Sequence, residues 1–121
     1  MDSKNRAVIT YFDQQLAACK AKKEKLEKEN RVEELNLTKI RENVFDIFRT
    51  VFQTALRTKG EGEPVRHFFE ERVRTIPEAW QASFQKASEA GDEKTKSIET
   101  VKLETLREIE RDFAHIWEEQ P

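Results

Sequence analysis

Apolar residues recur along this chain at intervals of three and four in each stretch between its glycine and proline breakers. That period puts them on one side of α-helices, whereas strands would alternate at two. With Ser3 read as an N-cap, a first helix is predicted over residues 3–35. Its seam is Ile9, Phe12, Leu16, Cys19, Lys23 and Leu26, a heptad stripe with a lysine at one core-type place. So narrow a stripe suits a coiled-coil seam or a helix at a bundle's edge.

A second helix is expected over residues 37–59, where Leu37, Ile40, Val44, Phe45, Phe48, Phe52 and Leu56 share one broad face. Asn36 or Thr38 would cap its start, and Gly60 would end it in a left-handed turn. No glycine or proline marks the Asn36 turn, so the first two helices read as either separate or nearly continuous. The third helix, residues 64–90, opens on Pro64, a residue suited to the first helical position. Its row is Val65, Phe68, Phe69, Val73, Ile76, Trp80, Phe84 and Ala87. Pro77 lacks an N–H for the Val73 carbonyl and crowds it, which predicts a kink there. Gly91 stops this helix and Asp92 caps the last, residues 92–119, with Ile98, Val101, Leu106, Ile109, Phe113, Ile116 and Trp117 on its face. Glu118 and Glu119 oppose the helix dipole, so that end is expected to fray.

The expected fold is all-α: an antiparallel bundle of about four long helices in one domain spanning residues 1–121. Three glycines and three prolines are too few for the many tight turns of an all-β fold. No run approaches 18 apolar residues, so no membrane span is expected. A lone Cys19 cannot close a disulfide within the chain, and no secretory leader stands at the N-terminus, which together point to the cytoplasm.

Charge divides the chain. Residues 1–60 hold 13 Lys and Arg against 9 Asp and Glu, whereas residues 61–121 hold 9 against 15. Opposite signs favour packing of the two halves on each other or an antiparallel meeting of two chains. Neither half is basic enough to neutralise several phosphates, so nucleic acid is not an expected partner. The densest basic run, Lys20 to Lys28, is interleaved with Glu24 and Glu27 and reads as a solvated helix face.

Reactive constellations are scarce. His67 precedes Glu70 and Glu71, and His115 follows Asp112, at spacings that share a helix side. Both histidines nevertheless fall opposite the apolar rows, and the Glu-x-x-His pair of di-metal bundles is missing, so no metal or cofactor site is assigned. Cys19 has no histidine in its own segment, and no serine lies in a nucleophile elbow, so no catalytic residue is assigned and the chain is not expected to be an enzyme. The expected function is a non-enzymatic helical protein–protein interaction module, self-associating as a homodimer through its first helix. The alternative is a bundle that binds a small apolar ligand in a core pocket lined by Phe48, Phe52, Phe69 and Trp80.

Overall fold

The computed structural model describes residues 2–121 and places them in five helical segments. They are α1 (Ser3–Lys28), α2 (Val32–Lys59), α3 (Glu63–Thr75), α4 (Glu78–Ala90) and α5 (Glu93–Glu119). α3 and α4 continue one another as a single rod bent by 17°, so the architecture is an all-α bundle of four rods. Among the described residues no helix is long and apolar enough to cross a membrane.

The first helix ends seven residues earlier than its apolar seam suggested. Asn30 adopts a left-handed conformation, φ 56°, which asparagine tolerates better than most residues. Two bonds then close the helix end: Arg31 N–H donates to Leu26 O at 3.0 Å and Asn30 N–H to Glu27 O at 3.2 Å. This is the Schellman pattern, achieved without glycine. The turn therefore lies at Glu29–Arg31, not at Asn36, and the first two helices are separate. At the other end of α1 the cap is Asp2 instead of Ser3; its carboxylate accepts from Asn5 N–H at 2.8 Å.

The later boundaries follow the breakers. Gly60 and Gly62, φ 83° and 74°, carry the α2–α3 turn, and Gly91, φ 68°, ends α4. Pro77 interrupts the hydrogen-bond ladder, but its bend stays below the roughly 20° of a sharp kink. The reason is local. Ile76 remains right-handed at φ −56°, ψ −43°, and Gln81 N–H takes up the Pro77 carbonyl at 2.9 Å, so the rod resumes almost in line.

Rods adjacent in sequence run antiparallel, and α1 also lies antiparallel to α5, because along each pair the partner numbers fall as those of the first rod rise: Asp13 with Arg49 and Lys23 with Glu42, Phe48 with Trp80 and Phe52 with Phe69, Phe69 with Phe113 and Trp80 with Lys102, Lys4 with Gln120 and Tyr11 with Asp112. Phe69 is the hub of the core. Its ring meets Phe12, Phe48, Phe52 and Phe113 at centroid separations of 6.2, 6.2, 5.6 and 4.4 Å. The first three pairs are edge-on, the arrangement that ring quadrupoles favour. Val8, Val44, Phe45, Val65, Ile109 and Trp117 belong to the same buried cluster, drawn from α1, α2, α3 and α5.

Candidate functional site

Beside this aromatic cluster, charged and polar side chains of α1, α2 and α5 meet in one layer. Tyr11 O–H donates to Asp112 Oδ2 at 2.8 Å. One turn along α5, Glu108 accepts both Arg41 guanidinium N–H groups, at 2.7 and 2.9 Å. The same guanidinium stacks 4.9 Å over the Phe45 ring. Bidentate pairing fixes both distance and plane, so this contact sets the register of α2 on α5. Helix spacing makes the layer possible: Glu108 and Asp112 are four apart, so both project from one side of α5.

Environment holds these groups in unreactive forms. Burial, then the hydrogen bond to Asp112, pushes the Tyr11 phenol far above its usual range. Burial also raises the Cys19 thiol, and the nearby Arg41 only partly offsets it. Glu108 in turn holds Arg41 more firmly as a cation. A protonated phenol, a protonated thiol and a paired guanidinium offer neither a nucleophile nor a free base. What the layer does is clamp the α1–α2 hairpin against α5.

The residues singled out in the sequence land apart from this layer. His67 is 79 % exposed and nearest Glu63, at 3.8 Å, and His115 is 69 % exposed and nearest Glu119, at 3.4 Å. Asp112, in register with His115 on paper, serves Tyr11 instead. Among the described residues no three His, Cys, Asp or Glu side chains gather as a metal would need. Phe48, Phe52 and Phe69 are fully buried and pack on one another, with Trp80 at their edge, 6.3 Å from Phe48. The rings named for an apolar ligand thus fill the space between the helices themselves.

The α1 seam is covered within the chain. Phe12, Cys19 and Leu26 are buried, and Lys23, at its polar place, pairs with Glu42 of α2 at 2.7 Å. Ile9 and Leu16, half-buried, pack against the same core, so most of the seam is covered within the chain. Opposite it, α1 turns Thr10, Gln14, Ala17, Ala18 and Ala21 to solvent, with Ala7 half-buried. A shallow groove of about 510 Å³ runs alongside, lined by Ser3, Ala7, Thr10, Tyr11, Gln14 and Ile116.

Asp112 stood out in the sequence only as a neighbour of His115, and Tyr11, Arg41 and Glu108 did not stand out, because each sits at the edge of an apolar row and only the packing shows which edges meet. The signal was faint but present: Tyr11 adjoins Phe12, and Arg41 adjoins Ile40. Comparison with protein-family models, curated proteins and solved structures finds no match to this chain.

Proposed function

We propose that this chain is a non-enzymatic helical interaction module that self-associates through the outward face of α1. The reading rests on the stripe Ala7, Thr10, Gln14, Ala17 and Ala21, spaced by three and four on the side away from the core. Short side chains let a second helix approach closely, because the distance between packed helices is set by what stands at the contact. An antiparallel pair is favoured, because the negative end of each helix dipole then meets the positive end of the other. A two-fold homodimer is the commonest closed arrangement for such a face. The single, buried Cys19 suits a reducing compartment, and we assign the module to the cytoplasm on that ground.

Sedimentation equilibrium at micromolar concentration tests the reading. The expected mass is twice the 14.3 kDa of one chain. Ala17→Glu combined with Ala21→Glu is expected to return the monomer with an unchanged helical circular dichroism spectrum, since both positions are exposed. A wild-type chain that stays at 14.3 kDa up to about 100 μM, a range in which specific homodimers are normally formed, would overturn it.

A further inference from the structure

The outward face of α1 has a charged edge. Arg6, Asp13, Lys20 and Glu27 recur every seven residues, so they stand in one row, two turns from one to the next. All four are exposed. The row flanks Thr10, Gln14, Ala17 and Ala21 on the side nearer α2, where Asp13 meets Arg49 at 2.8 Å. Its charge alternates in sign at every step. The other edge of the same face is Lys4, Tyr11, Ala18 and Lys25, whose only charges are the two lysines.

The alternation is self-complementary in one arrangement. When two α1 helices lie antiparallel, like edges face each other. A two-fold axis midway between Asp13 and Lys20 then sets Arg6 of each chain opposite Glu27 of the other, and Asp13 opposite Lys20. Two kinds of attractive pair are thus each made twice. Sliding the partner by one heptad sets like against like: Lys20 on Lys20 with Asp13 on Glu27, or Asp13 on Asp13 with Arg6 on Lys20. A parallel pair brings opposite edges together, and Lys20 then meets Lys25. On the second edge the antiparallel pair brings Lys4 toward Lys25, but Lys4 is drawn onto the Trp117 and Gln120 carbonyls of its own chain. Asp13 accepts from Arg49 through Oδ1 and stays 54 % exposed, so a lysine of the partner can share it.

We propose that two copies of this chain pair through α1 in this single antiparallel register, with Arg6–Glu27 and Asp13–Lys20 as ion pairs between the chains. The inference rests on the self-association reading above and adds the alignment of the two copies. Exposed ion pairs contribute little attraction each, so the row acts chiefly by penalising the wrong registers.

Analytical ultracentrifugation of the full chain tests this. Lys20→Glu sets a carboxylate against Asp13 twice per dimer and is expected to weaken dimerisation about tenfold. Adding Asp13→Lys restores both pairs with their signs exchanged and is expected to bring affinity back to within about threefold of wild type. Lys22→Glu makes the same charge change beside Glu104 of α5, off this face, and is expected to alter affinity less than about twofold. Raising NaCl from about 0.1 to 1 M is expected to weaken the wild-type dimer and strengthen that of Lys20→Glu, because screening removes attraction in one and repulsion in the other. An unchanged helical circular dichroism spectrum in each variant separates these effects from unfolding. A dimer that Ala17→Glu with Ala21→Glu dissociates but Lys20→Glu leaves intact would overturn the register and keep the contact. Failure of Asp13→Lys to rescue Lys20→Glu would do the same, whereas a wild-type chain that stays monomeric would overturn both.

Discussion

Tyr11 shows how one side chain can carry both packing and pH dependence. Its ring meets Phe12 at 5.3 Å and Phe45 at 6.3 Å, and its hydroxyl reaches Asp112. Folding holds the phenol protonated well beyond its ordinary value of 10.0. An unfolded chain gives that proton up near pH 10, so the unfolded state binds fewer protons in strong alkali. The stability Tyr11 contributes is therefore complete below pH 10 and is lost as pH rises further, by up to about 1.4 kcal/mol per pH unit. Cys19, raised from 9.0 by burial, acts with the same sign and begins earlier. Tyr11→Phe is expected to cost about 1 kcal/mol at pH 7 through the lost hydrogen bond. The same variant should flatten the decline above pH 10 relative to wild type. Urea midpoints measured from pH 8 to pH 11 check this, and a slope unchanged in Tyr11→Phe would exclude Tyr11 as its source.

At the scale of elements, α1 separates what the sequence made legible from what it did not. The heptad seam was visible in the spacing and is the buried face, but spacing cannot say whether a seam is covered by the same chain or by another. Lys23 is instructive: a polar residue at a core-type place suggested a solvent-facing or partner-facing stripe, and Glu42 across the α1–α2 hairpin supplies its partner instead. Boundaries set by Gly60, Pro64 and Gly91 were legible because glycine and proline restrict the backbone on their own. The end at Lys28 was not, because it depends on Asn30 turning left-handed among helix-favouring neighbours. These two faces of α1 make opposite predictions. Leu26→Lys places a charge in a fully buried position near the helix end and is expected to destabilise the monomer by about 2–4 kcal/mol. Ala21→Lys, on the exposed side, is expected to change monomer stability by no more than about 0.5 kcal/mol. Thermal denaturation of both variants at a concentration below self-association reads the difference, and equal losses would mean that the inward and outward assignments are wrong.

For the whole molecule, the division of charge between the halves acquires a structural meaning. Hydrogen-bonded contacts that hold α5 to the α1–α2 hairpin run from donors in the basic half to acceptors in the acidic half. Lys4 donates to the Trp117 and Gln120 carbonyls at the end of α5, Tyr11 to Asp112, and Arg41 to Glu108. Lys4 thereby satisfies terminal carbonyls where Glu118 and Glu119 would favour fraying, and the helix continues to Glu119. Phenylalanine packing supplies most of the burial, but rings are tolerant of small shifts along a helix axis, whereas a bidentate pair is not. The Arg41–Glu108 contact should therefore contribute more to alignment than its partial exposure suggests for stability. A double-mutant cycle with Arg41→Met and Glu108→Gln is expected to give a coupling of about 0.5–1.5 kcal/mol, at the upper end for a partly exposed pair. Raising ionic strength from 0.1 to 1 M shortens the screening length from about 10 to 3 Å, so the coupling should shrink without vanishing at a contact this close. Urea denaturation of the four proteins at both salt concentrations measures it. A coupling indistinguishable from zero would leave alignment of the two halves to the aromatic cluster alone, and Phe69→Ala, expected to cost about 3–5 kcal/mol, would then loosen the interface between the halves as well as the core.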